Sequence, residues 1–175
     1  MNLDMSLKLV HPSKKFETSW QAARFEFEIA QAAHLQNTGV NHLDGFLRSG
    51  RNFNNERQVP IDWVPSTDFW LVNKNRFLGF VNIRHRLNKE LEAYGGHIGY
   101  AIRPSARRQG FGTQLLAVAL DNAREMGLRK VLLTCHEGNV ASQKIIERNG
   151  GQFQDKQASK FAKLTVLRYW IHITT

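Results

Sequence analysis

Arg107-Arg108-Gln109-Gly110-Phe111-Gly112-Thr113 is the stretch on which the reading of this chain turns. It follows an alternating, strand-like run from His97 to Arg103 that Pro104 closes. It opens a helix-period run from Gly110 to Met126, with Leu115, Leu116, Ala119, Leu120, Ala123 and Met126 as the predicted buried stripe and Gly127 as the expected stop. A glycine-rich turn between strand and helix converges backbone N–H groups, and the helix N-terminus adds partial positive charge. With Arg107 and Arg108 alongside, the expected ligand carries phosphate. The bland alternative is a tight turn whose glycines only ease packing. No Lys-Ser or Lys-Thr follows the second glycine, so this is not a P-loop. The dinucleotide fingerprint needs a third glycine and is also absent.

The flanks extend the pattern. Val131 to Cys135 is a continuous apolar strand, of the kind buried on both faces. Asn139 to Asn149 reads as a helix with Ala141, Ile145 and Ile146 inward and Gly150 after it. Gly151 to Lys156 and Lys163 to Ile173 read as a closing antiparallel pair. Upstream, Phe69 to Val72 and Phe77 to His85 form a predicted hairpin through Asn73-Lys74-Asn75-Arg76. In its second strand Phe77, Gly79, Val81, Ile83 and His85 share one face, and Leu78, Phe80, Asn82 and Arg84 the other. Leu87 to Ala93 is a charged connector or short helical turn, and Gly95-Gly96 a hinge. Leu7 to Val10 is a short first strand. Ser13 caps a helix over Lys14 to Leu35, with Trp20, Ala23, Phe27, Ala30 and Leu35 on one face. Asn41 to Arg51 reads as a second short helix, and Asn52 to Pro65 as loop.

At 175 residues the chain reads as a single domain over 1–175, and 42% apolar residues are enough for one core. Cys135 is the only cysteine, which excludes an intrachain disulfide and points to a reducing, cytoplasmic setting. No stretch reaches the length of a membrane span and the N-terminus lacks a leader pattern. The net charge of +9 is dispersed over short pairs such as Lys14-Lys15 and Arg129-Lys130. That pattern fits solubility and an anionic cofactor better than a nucleic-acid partner.

Strand, glycine loop, helix, strand, then Asn139-x-x-Ser142 opening a helix: this order, from about residue 69 to 153, resembles the GNAT superfamily of acetyl-CoA-dependent N-acetyltransferases. Gly95 to Tyr100 (GGHIGY) and Arg168 to Trp170 (RYW) resemble small bacterial predicted members. The resemblance implies an α/β (α+β) fold, a mixed and mostly antiparallel sheet with helices on both sides. It implies that 97–103 and 131–135 form a parallel pair splayed to admit a pantetheine arm. Acetyl-CoA is then the co-substrate, with no metal, and the N-terminal helical region covers the acceptor side. Cofactor contacts fall to Ile102 and Arg103 at the strand end, to Arg107, Arg108, Gln109, Gly110, Phe111, Gly112 and Thr113 in the loop, and to Asn139 and Ser142. Asn139 is equally a helix N-cap.

The implied reaction is direct attack of an amine on a thioester in a ternary complex. An alkylamine with a pKa of about 10.4 must lose a proton, so a general base helps. The family often places a glutamate on the strand before the loop, and the matching residue here is His97. Glu137 is the reserve candidate. Many members place a tyrosine four residues after the Ser142 position, where this chain has Ile146. The proton donor to the leaving thiolate is then Tyr100, Tyr169, Cys135 or water. Arg84 and His85 are candidates for acceptor binding through an anionic group, against ordinary surface roles. Trp63, Trp70 and Trp170 are either pocket walls or core. The departure at Ile146 keeps an acyl-CoA-binding sensor without turnover as the alternative function. A nucleic-acid-binding protein on the same fold is the other rival. The apolar last strand, read as an exposed edge, suggests a homodimer.

Overall fold

Two antiparallel sheets share one core. The computed structural model describes residues 7–32, 63–158 and 165–173. The expected helix over Asn41 to Arg51, Leu35 and most of the expected loop from Asn52 fall outside these. The elements are β1 (Leu7–Val10), α1 (Glu17–Ala32), β2 (Ser66–Asn73), β3 (Arg76–Arg84), β4 (Ile98–Ile102), α2 (Phe111–Glu125), β5 (Lys130–His136), α3 (Val140–Arg148), β6 (Gln152–Ala158) and β7 (Thr165–His172). The first sheet runs β1-β2-β3-β4 and the second β5-β7-β6, antiparallel throughout.

The local signals hold at most element ends. The Ser13 side chain accepts the Lys15 N–H at 3.3 Å and opens a short 3-10 turn before α1. The Asn139 side chain caps α3 by accepting the Ser142 N–H at 3.1 Å. Gly127 and Gly150 follow their helices with φ of 88° and 84°. The charged connector ends in a π-turn, Leu91–Gly95.

Several expectations need correction. Leu78 is a bulge, because the register steps from Leu71↔Gly79 to Val72↔Phe77. Phe77 therefore packs with Phe80 under α1, while Leu78 joins Val81 and Ile83 on the other face. Met126 and Ala141 are exposed, not part of their helices' buried stripes. β7 is the middle strand of its sheet, so it offers no edge for a partner.

The main core lies between both sheets and α2 and α3, with Leu71, Val81, Ile83, Leu115, Leu116, Val131, Leu133 and Ile146 essentially sealed. A second cluster, Phe16, Ala23, Phe27, Trp70, Val72, Phe77 and Phe80, fixes α1 to the opposite face of the first sheet. One ionic anchor holds α1 there as well. Arg103 donates to Glu26 at 2.7 Å, and Glu26 also accepts from the Ser105 N–H at 2.9 Å and hydroxyl at 3.0 Å.

Burial raises the Glu26 pKa, but the hydrogen bonds from Arg103 and Ser105 outweigh it and bring the carboxyl down to about 2. A lowered carboxylate stabilises the fold above its unfolded pKa, and that contribution fades as pH falls from about 4.5 towards 2. Glu26→Gln is expected to cost about 1–3 kcal/mol at pH 7 and much less at pH 2.5, read by denaturant melts at both pH values.

Candidate active site

The site begins where the two sheets part. In an antiparallel pair, alternate residues turn their peptides towards the partner strand and away from it. The Arg84 N–H donates to the His97 carbonyl and the Arg103 N–H to the Leu78 carbonyl, both at 2.8 Å. With Val81 opposite Tyr100, the peptides of Ile98, Tyr100 and Ile102 therefore face away from β3. In the second sheet the Glu137 N–H donates to the Thr165 carbonyl at 3.0 Å, and the Ile173 N–H to the Arg129 carbonyl at 2.9 Å. With Leu132 opposite Trp170, the peptides of Leu132, Thr134 and His136 face away from β7.

These two free edges meet at His97. Its backbone N–H donates to the Leu132 carbonyl at 2.7 Å. Its Nδ1 accepts the Leu132 N–H at 2.9 Å. Beyond that point no ladder joins β4 and β5 among the described residues, so the expected parallel pair is a V pinned at its apex. Neighbouring contacts reinforce the pin. Arg84 Nη1 donates to the Gly95 and Gly96 carbonyls at 3.2 and 3.0 Å, and the Thr134 hydroxyl to the Tyr94 carbonyl at 2.8 Å.

This geometry goes against His97 as the base. A ring nitrogen that accepts a peptide N–H has its lone pair engaged, which puts the ring proton on Nε2. Burial first, then the charges of Arg84 and Lys130, push the imidazole down to about 4. Glu137 is exposed and ion-paired with Lys156, a solvated loop carboxylate and not a placed base.

Tyr100 and Ser142 are brought together: the phenol and the serine hydroxyl lie 3.0 Å apart. They link the β4 arm of the V to α3. Burial pushes the Tyr100 phenol up to about 12, so it stays protonated and able to donate. Burial likewise lifts the Cys135 thiol to about 11. Ile146, at the position of the usual tyrosine, is sealed in the core. Tyr169 is also a core residue, packed edge-on against Phe153.

At the open end of the V the chain runs from β4 through a Pro104–Ala106 turn into the glycine loop. Gly110 is the N-cap of α2 with φ of 85°, and Arg108 also has a positive φ, 60°. The Thr113 and Gln114 N–H groups turn back to the Gly110 carbonyl at 3.1 and 3.2 Å. The N–H groups of Gly110, Phe111 and Gly112 then have no intrahelical acceptor and aim out of the helix start. Gly112 also serves packing: a Cβ there would lie 2.6 Å from Ile145 Cδ1. Arg108 and Gln109 are exposed, and the Gln109 amide donates to the Ser105 carbonyl at 3.2 Å. Arg107 bends back, donating from Nε to the Ile102 carbonyl at 3.2 Å. The Arg103 side chain is committed to Glu26, its N–H to Leu78 and its carbonyl to the Ala106 N–H at 2.8 Å, so it holds the fold where a cofactor contact was expected.

The other face of the first sheet carries a buried polar row. Asp68 is 5% exposed and accepts from the Asn82 amide at 2.6 Å. Burial lifts its carboxyl to about 6, against the Asn82 bond and the Arg84 charge. Arg84 lies over Gly99, within 3.7 Å of where a Cβ would stand. His85 Nε2 is 2.8 Å from the Thr67 hydroxyl. The hairpin thus puts Arg84 beside the apex, but its guanidinium braces backbone carbonyls. Trp70 stacks on Trp20 in the α1 cluster, Trp63 is exposed, and Trp170 lies 6.2 Å from the His97 ring. Sequence reading missed Asp68, since only the register with Asn82 reveals its partner.

A family model described as an acetyltransferase (GNAT) domain matches residues 21–152, well over half of the chain. The chain belongs to that family, a class of acetyl-CoA-dependent acetyltransferases. Among curated proteins, the chain is 29% identical over 82 residues to GCN5-related N-acetyltransferase 6, chloroplastic, of Arabidopsis thaliana. That match covers 47% of this chain and only 28% of the relative. Among solved structures, a Salmonella typhimurium acetyltransferase that modifies the N-terminal serine of a 50S ribosomal subunit protein superposes with a TM-score of 0.68 at 17% identity, covering 98% of this chain and 97% of that one. The yncA protein of the same organism, solved with its cofactor acetyl-CoA, gives 0.60 at 12% identity over 97% and 95%. Among the described residues no helix is long and apolar enough to cross a membrane.

Proposed function

We propose that this chain moves the acetyl group of acetyl-CoA to a primary amine by direct attack within a ternary complex. The observation that carries this is the pinned V with a helix N-terminus at its open end. The N–H groups at the start of α2 suit a pyrophosphate. The β4 edge, from Ile102 back to Ile98, runs about 13 Å and offers peptide groups to the amides of a pantetheine arm. That arm brings the thioester to Tyr100 and Ser142. As the C–N bond forms and the C–S bond breaks, the thiolate takes a proton from the Tyr100–Ser142 pair, which water restores. Asn139 holds the start of α3 so that Ser142 meets Tyr100. Asp68, Asn82 and Arg84 lie on the acceptor side.

The test is free-thiol release from acetyl-CoA against a panel of primary amines and peptides. Peptides beginning with serine are included because the Salmonella structure modifies such an N-terminus. Release that depends on one amine class is expected. Tyr100→Phe and Ser142→Ala should each lower kcat by about 10²-fold with little change in KM for acetyl-CoA, and the double variant little more. Acetyl-CoA binding with no release for any amine would contradict turnover and leave a sensor.

A further inference from the structure

With His97 pinned and Glu137 ion-paired, neither of the two expected bases is placed to take the acceptor amine's proton. One group on the β5 arm fits that need. His136 Nδ1 is buried and has no hydrogen-bond partner among the described residues. A buried polar atom without a partner is costly to leave so, and at a site such an atom calls for a ligand.

Its position is defined by the V. Tyr100 is three residues past the pin on β4, and His136 four residues past it on β5. At about 3.3 Å per residue they stand about 10 and 13 Å from the apex, a similar depth. Their sides differ. Ile98, Tyr100 and Ile102 on β4, and Val131, Leu133 and Cys135 on β5, all pack into the core shared with α2 and α3. By alternation, His136 lies with Leu132 and Thr134 on the opposite face, the face of His97, Gly99 and Asp68. Its backbone is fixed as well: the His136 carbonyl accepts the Asn139 N–H at 2.8 Å, which ties it to the start of α3.

We propose that His136 is the catalytic base, taking the proton of the acceptor amine at Nδ1 on the side of the thioester opposite Tyr100 and Ser142. The inference rests on the transfer reading above. The amine nitrogen forms its bond to the carbonyl carbon, its N–H proton passes to Nδ1, and the C–S electrons leave with the thiolate. His136 returns its proton to water after the product departs.

The test uses the amine of fastest thiol release. His136→Ala and His136→Gln should each lower kcat by about 10²-fold, with acetyl-CoA affinity within twofold of the unsubstituted chain. Free imidazole should restore part of the rate to the alanine variant, which a merely structural role would not allow. Nitrogen NMR of the neutral ring should show its proton on Nε2 and not on Nδ1, a readout that needs no turnover. A kcat within threefold of normal in both variants, or a protonated Nδ1 in the neutral ring, overturns the assignment alone. Absence of thiol release from the unsubstituted chain overturns the transfer reading and this role with it.

Discussion

Gly110→Pro should weaken acetyl-CoA binding by at least about 100-fold, or about 2.7 kcal/mol, while leaving the chain folded. Gly110 has φ of 85°, and proline locks φ near −65°. The ring also deletes the first of the N–H groups that aim out of α2. Both losses fall on the anion site. The helix itself starts at Phe111, so its ladder survives. Titration calorimetry gives the affinity, and a thermal melt checks the fold. Affinity within threefold of normal would mean that the phosphates sit elsewhere.

Gly96→Ala should be the most damaging small substitution in the described chain. Its φ is 66°, and a Cβ would overlap the Leu132 carbonyl oxygen and crowd the Leu133 Cα. Both neighbours are backbone, which a rotamer change cannot relieve. With ψ of −175° the backbone sits in a region open essentially to glycine, which alone costs another residue about 1–3 kcal/mol, and parting the apex threatens the His97–Leu132 bonds as well. A loss of at least about 3 kcal/mol is expected, or a fall in Tm of about 6–12 °C. Gly138→Ala is the control: nothing lies near its Cβ and its φ is ordinary, so the change should stay within about 0.5 kcal/mol. Equal melts for the two variants would show that the apex is looser than described.

How much of this was legible in the sequence follows from the range of each interaction. The glycine turn, the α2 stripe from Leu115 to Ala123 and the Asn139 cap depend on residues within a few positions of one another, and they fold as read; Met126, at the helix end, does not. The Leu78 bulge was invisible because strict alternation cannot register one unpaired residue. Arg103 was assigned to the cofactor since its partner Glu26 lies 77 residues earlier. His97 fell on the expected strand position, but its ring nitrogen replaces a ladder bond, which only the register of β4 against β5 discloses. His136 passed unnoticed at the end of an apolar strand, because an unpartnered nitrogen is a property of packing.

Titration of the unsubstituted chain with acetyl-CoA, with Gly110→Pro in parallel, tests the central claim most directly. The account predicts saturable one-to-one binding that the variant loses. No binding by the unsubstituted chain, or equal binding by both, would contradict it.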